Sequence, residues 1–436
     1  MSGIKKIIPA SNIEYVPEAV QLAPLRPGDT RYTDFAKIRG SDTIGIIERK
    51  LRRPAKEFLH LLFSGYRGTG KTTELFQLQS RFQQDYIVFY YDASLGLDLF
   101  NCKLTDILMA IAKETHEQMK TAGYPLPERV LKDVADWFFE KVLEKEKSIA
   151  AEAGADTEVS SPKWFSFITA KIFTGMKLET KNREILRRKL ENNLSGLIEK
   201  INTLLDCAKG ILIKQGKKGL IFMIDSLDRL RAGIDKELFI ANGNFFKQLN
   251  ANFIFVVPIS LLYDEQAPLL EFDREILPMI PVFKRGKEHV THEDNIDQLK
   301  ELIKKRIEVN AIFTNPEETL KEFILTSGGH LRDLLRLIHE ACNLTSDQIT
   351  PTHTEISINR LKNDYEKVVR DEQYKKLVKV YREQSVPNDD TNQKLIHSNV
   401  ILVYRQEDGS EWNDVHPAVV RNEKFQIALK SKKNCD

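Results

Sequence analysis

Eight residues near position 70 have the types and the spacing of a loop that binds phosphate groups. Residues 65–72 read GYRGTGKT and place Gly65, Gly70, Lys71 and Thr72 in the pattern G-x-x-x-x-G-K-[ST]. Glycines at these positions let successive backbone N–H groups turn inward around phosphate oxygens, and a helix that begins there adds positive potential. We therefore predict that Lys71 contacts the β- and γ-phosphates of a nucleoside triphosphate and that the Thr72 hydroxyl binds Mg²⁺.

Two aspartates follow an apolar run further along the chain and extend this chemistry. The sequence LIFMI at 220–224 is followed by Asp225, and Asp228 comes three residues later. Where such a run forms a strand beside the phosphate loop, the carboxylate at its end is an anionic ligand for Mg²⁺. Asp228 is then placed to orient or deprotonate an attacking water molecule. Aspartates that only cap a strand-to-turn transition are the alternative that the spacing leaves open.

An arginine at the start of a predicted helix is the third candidate. Residues 327–342 read SGGHLRDLLRLIHEAC, in which apolar positions recur at helical spacing and Arg332 lies in the first turn, off the apolar face. An arginine held there by a glycine turn can reach a γ-phosphate from a neighbouring lid. A surface arginine on a packed helix is the alternative.

A parallel sheet with helices on both faces would bring these residues together. Short apolar runs separated by helical stretches indicate that arrangement, so we predict an α/β fold with a P-loop parallel sheet. Strands are predicted at 59–64, 86–93, 220–228 and 253–260, with a weaker fifth at 276–283. Helices are predicted at 72–82, directly after the phosphate loop, and at about 42–51, capped by Ser41 or Asp42.

The spacing of these runs also predicts how the chain is organised. Residues 1–30 are rich in proline and are predicted to form an extended N-terminal arm. The ATPase core is predicted at 31–290, with a helical insert at about 101–215, because a single crossover helix needs far fewer residues. Within the insert, an exposed break is predicted at 153–162 and one long helix at 182–205.

The last third of the chain is predicted to hold two further units. Residues 291–350 read as a helical lid that ends in the Arg332 helix. Residues 351–436 begin with helices and end in two strand-like runs joined at 407–409, which predicts a winged-helix-like C-terminal module.

Composition narrows the class of protein. The chain has 436 residues, 42% of them hydrophobic and 29% charged, with a net charge of +2, which does not indicate a strongly basic nucleic-acid binder. Four scattered cysteines (Cys102, Cys207, Cys342 and Cys435) predict a reducing compartment with neither a zinc site nor a disulfide framework. The sequence shows no membrane-spanning run and no signal peptide, so we expect a cytoplasmic protein with no membrane partner.

The three motifs in this order resemble the AAA+/STAND superfamily of P-loop ATPases, in its origin-recognition and NACHT-like branches. The Arg332 segment resembles their sensor-2 helix, and the sequence LKELIKKRIE at 299–308 resembles the arginine-bearing helix of their lid. Ser226 follows Asp225 where ordinary AAA+ hydrolases carry glutamate, and the acidic Asp228 comes two positions after it, as in the NACHT pattern. This departure implies slow hydrolysis and favours a regulatory switch.

The resemblance also implies a set of binding residues. ATP and Mg²⁺ are the implied cofactors, and the segment 32–51, with Arg39 and Gly40, is similar to the one that lines the adenine pocket. Ser260 is the candidate for the polar sensor-1 residue, and Arg274 and Arg285 are candidates for an arginine finger. The implied cofactor-binding residues are Arg39, Gly40, Gly65, Tyr66, Arg67, Gly68, Thr69, Gly70, Lys71, Thr72 and Thr73, with Lys71, Asp225, Asp228 and Arg332 catalytic and Thr72 and Asp225 on the metal.

Two functions follow from the resemblance. The first is a slowly hydrolysing ATPase switch that forms a homo-oligomer or controls a separate effector protein, with a task such as phage defence. The alternative is a DNA-binding loader of the origin-recognition type, with the C-terminal module on the duplex. Its candidate phosphate contacts are Lys375, Lys376, Lys379, Arg382, Lys430, Lys432 and Lys433. A third class of function, a small-molecule kinase built on the same loop, would transfer a phosphoryl group to a metabolite. It would need neither Arg332 nor the C-terminal module.

Overall fold

Five parallel strands form the sheet that carries the phosphate loop. The computed structural model describes residues 8–53, 57–142, 180–286, 288–387 and 389–431. The strands of this sheet are β1 (His60–Ser64), β2 (Tyr86–Asp92), β3 (Gly219–Asp225), β4 (Asn252–Val256) and β5 (Asp273–Ile276). Their order is β2-β3-β4-β1-β5, and every neighbouring pair is parallel. The predicted α/β fold class is therefore confirmed.

The central strands form because their apolar side chains are covered on both faces of the sheet. Every residue of β1 and of β3 is buried, as expected for a parallel sheet between two layers of helices. The ring of Phe222 in β3 stacks on that of Phe253 in β4, with 4.8 Å between the ring centroids. Because β4 lies between β1 and β3, the ends of all three strands meet at the edge where the loop begins.

The fifth strand lies upstream of the predicted one. The prediction of 276–283 is wrong, since β5 spans Asp273–Ile276 and pairs with β1. Pro278 and Pro281 have no backbone N–H to donate to a strand ladder. The apolar residues after β5 are buried in a second core, and the N–H of Met279 donates to the carbonyl of Val403, 3.4 Å away, near the end of the chain.

Helices surround the sheet and make up most of the rest of the described chain. Those of eight residues or more are α1 (Thr43–Arg52), α2 (Lys71–Phe82), α3 (Leu104–Thr121), α4 (Glu128–Val142), α5 (Thr180–Glu191), α6 (Leu194–Lys214), α7 (Glu293–Lys304), α8 (Pro316–Ser327), α9 (Leu331–Cys342), α10 (Pro351–Glu366), α11 (Tyr374–Glu383), α12 (Asp390–His397) and α13 (Glu423–Ser431). Shorter turns are Ile13–Tyr15, Val16–Ala19, Ala93–Gly96, Leu227–Arg229, Ile234–Lys236, Glu237–Ala241, Gly243–Lys247, Ile259–Leu262, Ala267–Leu269, Val309–Ile312, Asp371–Gln373 and Pro417–Val420.

The chain between β2 and β3 holds the helices α3 to α6. The single helix predicted at 182–205 is wrong, because α5 ends at Glu191 and α6 begins at Leu194 after two asparagines, which are poor helix formers. A buried ion pair between Arg187 and Asp106 joins α5 to α3. The break predicted at 153–162 lies outside the described residues.

The N-terminal arm is not extended over its whole length. Residues 13–19 form two helical turns in place of the predicted extended chain, and Pro17 occupies the first turn of the second, where its missing N–H costs nothing. Val16 and Val20 are buried against the lid helices, and Ala10 pairs with Ile307. This packing places residues 21–25, which come next in the chain, beside the phosphate loop.

The C-terminal residues end in an antiparallel hairpin of β6 (Ile401–Arg405) and β7 (Glu411–Val415). Gly409, with φ +83°, supplies the left-handed conformation in the turn between them. The hairpin packs on the sheet domain, since the Tyr66 hydroxyl donates to the Ile401 carbonyl at 2.7 Å. Its description as a winged-helix-like module stays a prediction. Within the described residues, every helix is too short or too polar to cross a bilayer.

Candidate functional site

The phosphate loop joins β1 to α2 through three glycines that bend the backbone. Gly65, Gly68 and Gly70 have φ angles of +151°, +100° and +98°, values that other residues rarely adopt. Helix α2 begins at Lys71. In the described part of the chain, no group accepts a hydrogen bond from the N–H groups of Gly70, Lys71 or Thr72. The loop therefore presents unpaired donors at a helix N-terminus, the arrangement that binds anions.

Lys71 is held at the centre of the loop. Its ammonium group donates to the carbonyls of Gly65 at 2.8 Å and Tyr66 at 2.9 Å. It also lies 2.8 Å from the Asp228 carboxylate, and the Lys71 side chain is only 5% exposed. All three donors of the ammonium group are thus engaged, each by a residue that the sequence had assigned to the same site.

The predicted metal residues, Thr72 and Asp225, are in direct contact. The Thr72 hydroxyl donates to Oδ2 of Asp225 at 2.6 Å, and the Tyr90 hydroxyl donates to the same oxygen at 2.8 Å. Oδ1 of Asp225 accepts from the backbone N–H of Ser226 at 2.6 Å. Ser226 has φ +67°, so the chain turns sharply after β3 and places Asp228 beside Lys71. This geometry unites the two motifs that the sequence separates.

Helix α9 carries Arg332 onto the loop. A Cβ atom added to Gly68 would lie 2.4 Å from Cβ of Arg332, so α9 and the loop are in close contact. Burial lowers the pKa of Arg332, and the neighbouring cations Arg67 and Arg229 add to this effect, against Asp228 and Asp333. Arg229 lines the cavity beside the loop, and the sequence analysis missed it because nothing in its local pattern separates it from Arg231.

The cavity beside the loop has a volume of about 200 Å³. Loop residues, the end of β3, the lid and the N-terminal segment all contribute to it. The lining residues are 21–25, Arg31, Tyr32, Thr33, Phe35, Arg39, 67–74, Asp225, Ser226, Asp228, Arg229, Leu302, Arg306, Leu331, Arg332 and Leu335. The sequence missed the contribution of 21–25, which depends on the backbone N–H of Leu25 donating to the Thr73 hydroxyl at 3.1 Å.

Three of the implied binding residues, Gly40, Gly65 and Tyr66, do not line the cavity. Gly40 packs against the backbone of Arg405 in the hairpin, and Tyr66 points to Ile401. Gly65 turns the main chain at the start of the loop, outside the cavity lining. Its carbonyl accepts a hydrogen bond from the Lys71 ammonium group.

Arg39 stabilises the backbone of the loop through hydrogen bonds to carbonyl groups. Its guanidinium donates to the carbonyl of Thr69 at 2.7 Å and to that of Pro278. Burial lowers the pKa of Arg39 to about 10, so the group remains charged at neutral pH. Arg306 of the lid similarly donates to the carbonyl of Arg31 at 3.0 Å, and burial lowers its pKa to about 10. Both buried cations fix backbone segments that border the cavity.

The remaining candidates lie outside the cavity. The Ser260 hydroxyl is 3.3 Å from Nδ1 of His397, and Arg274 donates to the carbonyl of Ala267 at 3.1 Å. Arg285 donates to the side chain of Gln406 at 3.2 Å. Their suggested roles as sensor 1 and arginine finger stay predictions.

The residues present fit a nucleoside triphosphate with Mg²⁺. Free N–H groups at the start of α2 and the cations Lys71, Arg229 and Arg332 suit phosphate oxygens. The hydroxyl of Thr72 and the carboxylate of Asp225 are the hard oxygen ligands that Mg²⁺ prefers. The ring of Phe35 and the apolar residues of 21–25 supply an apolar wall further from the loop.

No family model matches this sequence, and no curated protein matches it. Among solved structures, the chain is similar to Cdc6p from Pyrobaculum aerophilum, with 10% sequence identity, a TM-score of 0.39, and coverage of 95% of this chain and 98% of that one. It is also similar to the RuvB Holliday junction branch migration motor of Thermotoga maritima, with 13% identity, a TM-score of 0.35, and coverage of 90% and 94%. These scores are too low to add to what the loop and the sheet show by themselves.

Proposed function

We propose that this chain is a Mg²⁺-dependent ATPase of the AAA+/STAND type that works as a slow regulatory switch. The observation that carries the proposal is the contact of Thr72 with Asp225 at 2.6 Å, directly beside a glycine loop with unpaired N–H groups. The glycine loop that ends at Thr72 and the strand that ends at Asp225 are far apart in the sequence. They meet in the arrangement that binds a metal-bound triphosphate.

Each residue of the site has its own role in this proposal. The loop N–H groups and Lys71 bind phosphate oxygens, and Thr72 and Asp225 hold the metal. When bound, Mg²⁺ would supply positive charge that stabilises the negative charge developing during phosphoryl transfer. Asp228 orients a water molecule or accepts its proton once Lys71 turns from Asp228 to the phosphates.

Slow turnover follows from the residues around Asp225. Ser226, with no ionisable group, occupies the position after Asp225. Asp228 takes part in an ion pair with Lys71, so its carboxylate is engaged before any water molecule is oriented. The general base is therefore tied to the same cation that binds substrate.

The switch follows from the position of the lid. Arg332 and His330 of the lid segment touch the loop at Gly68 and Arg67, so a γ-phosphate between loop and lid would contact both parts. A ligand that binds the two arrangements of the lid with different affinity shifts the balance between them. Arg332 is the residue that we assign to sensing the terminal phosphate.

The output of the switch is proposed on the resemblance alone. A homo-oligomer, or a separate effector in phage defence, would respond to the lid and the C-terminal module. For the DNA-loader alternative, Lys375, Lys376 and Lys379 lie exposed on α11, whereas Arg382 donates to the carbonyl of Leu429. DNA retention that falls steeply with salt, and that is lost when the three lysines become glutamine, would favour the loader.

Phosphate release from MgATP tests the proposal. The wild-type chain should release phosphate slowly, and Thr72→Ala and Asp225→Asn should each lose both turnover and its dependence on Mg²⁺. Thr121→Ala, an exposed threonine at the end of α3, is the matched control and should behave as wild type. Equal turnover in wild type and Asp225→Asn would refute the metal assignment.

A further inference from the structure

Four buried side chains connect the phosphate loop to the C-terminal hairpin. His330 precedes α9, Asp333 lies in its first turn, Tyr365 belongs to α10, and His416 follows β7. Nδ1 of His330 lies 2.9 Å from Oδ2 of Asp333, and Nε2 of His416 lies 3.2 Å from the same oxygen. The Tyr365 hydroxyl donates to that oxygen at 2.7 Å. All four residues are buried.

The ring of His330 lies between the phosphate loop and Asp333. Nε2 lies 2.6 Å from the backbone carbonyl of Arg67, and Nδ1 faces the Asp333 carboxylate. The Nε2 contact is a hydrogen bond, and the Nδ1 contact is a close approach to the carboxylate without hydrogen-bond geometry. Burial acts to raise the pKa of Asp333, but His330 and His416 outweigh it and hold that pKa well below its ordinary value. His330 and Asp333 thus lie in direct contact in the protein interior.

His416 faces Asp333 in its neutral form. Its Nδ1 accepts the backbone N–H of Ala418 at 3.2 Å, which leaves the proton of a neutral ring on Nε2, toward Asp333. Burial lowers the pKa of His416, against the opposing effect of Asp333. The ligand atoms of His330, Asp333 and His416 all lie within 4.8 Å of one another.

The Arg67 carbonyl belongs to the same peptide group as the Gly68 N–H. In a trans peptide these two groups point in opposite directions, so an anchor on the oxygen sets the direction of the N–H. Gly68 lines the cavity and has φ +100°, a conformation with little other restraint on a glycine. His330 is the anchor, and Arg332 packs on the same side of Gly68.

A second contact ties the preceding residue of the loop to the same hairpin. The Tyr66 hydroxyl donates to the carbonyl of Ile401 in β6, and Tyr66 is 1% exposed. Two consecutive loop residues are therefore linked to the C-terminal module, one directly and one through His330, Asp333 and His416.

We propose that His330, Asp333 and His416 are positioning residues that couple the C-terminal module to the phosphate loop. In this His–Asp–His relay, the hairpin holds Asp333 through His416, Asp333 holds His330, and His330 aims the Gly68 N–H at a phosphate oxygen. A movement of the hairpin away from α9 releases the peptide and weakens phosphate binding. The inference deepens the proposed function and depends on it only for the identity of the ligand.

The test compares MgATP affinity, measured by calorimetry, in a double-mutant cycle. His416→Gln should weaken binding by about tenfold or more in the wild-type background, because it loosens a charge-assisted contact. In the His330→Gln background, the same change should have little further effect, since the link to the loop is already cut. His339→Gln, on the same helix α9, is the control and should bind as wild type.

Amide hydrogen exchange of nucleotide-free protein supplies a readout that does not need ATP. Exchange at Gly68 should become faster in His416→Gln and stay unchanged in β1. Equal effects of His416→Gln in both backgrounds, or unchanged exchange at Gly68 in a folded variant, would overturn the relay. If His416→Gln does not fold, Tyr365→Phe removes one donor to Asp333 and is measured in the same way. A wild-type chain that binds no MgATP refutes the proposed function, and the exchange experiment still decides the relay.

Discussion

The ammonium group of Lys71 lies 2.8 Å from the carboxylate of Asp228, and both side chains are almost completely buried. The pair neutralises two charges that would be costly to bury alone. It also means that phosphate oxygens must compete with Asp228 for Lys71. Affinity and turnover are thereby linked through a single contact, which can be altered by changing one atom.

Replacement of Asp228 by asparagine should separate these two effects. Asp228→Asn keeps the shape of the side chain but removes its charge and its ability to take a proton. We expect turnover to fall by about 100-fold or more, in the range of general-base effects. MgATP affinity, measured on the same preparation, should be unchanged or higher because Lys71 is released. A parallel loss of affinity and turnover would contradict the assigned role.

Arg229 should stabilise the transferring phosphoryl group. It lines the cavity beside Asp228, while Arg231, two residues on, does not line it. Arg229→Ala should reduce the rate of phosphate release by about 100-fold, as expected when one donor to the phosphoryl group is removed. Arg231→Ala is the matched control and should retain the wild-type rate. Similar rates in both variants would exclude Arg229 from the site.

Gly68 should resist substitution for a reason beyond its backbone angle. Gly68→Ala adds a methyl group 2.4 Å from Cβ of Arg332, whereas Gly123→Ala, at φ +84°, meets no atom within 4 Å. Both variants carry the left-handed strain of about 1–2 kcal/mol for a non-glycine residue. Thermal unfolding should therefore show a larger loss for Gly68→Ala, together with weakened MgATP binding. Equal losses of thermal stability in the two variants would contradict the close contact between Gly68 and Arg332.

Stability should fall in mild acid because of His60. Burial lowers the pKa of His60 from 6.5 to about 4, so the unfolded chain takes up a proton that the folded chain refuses. As pH falls from about 6.5 to about 4, this residue removes up to about 3 kcal/mol of the free energy of unfolding. His60→Phe, which keeps the ring beside Phe253, should lose less stability between pH 7.5 and 4.5. Identical pH profiles would contradict this expectation.

The sequence predicted the parts of the site that depend on local patterns. The loop at 65–72, the strand before it and the strand that ends at Asp225 have strong signals, because apolar runs and glycine spacing report buried strands and tight turns directly. The contact of Thr72 with Asp225 followed from those signals once a parallel sheet was assumed.

Other parts depended on contacts between distant segments. The run at 276–283 is apolar because it is buried beneath the lid and the hairpin, so its composition indicated a strand that its prolines prevent. The N-terminal prolines indicated an extended arm, but burial of Val16 and Val20 favours helical turns there. The meeting of His330, Asp333 and His416 has no local signal, because three separate elements build it.

Equilibrium binding of MgATP tests the central claim most directly. Calorimetric titration of the wild-type chain should show saturable binding that requires Mg²⁺. Lys71→Ala should weaken it by at least about 30-fold, the loss expected for a charge-assisted contact of about 2 kcal/mol. Lys132→Ala, an exposed lysine on α4, is the control. Absence of binding in the wild type, or equal affinity in Lys71→Ala, would contradict the account.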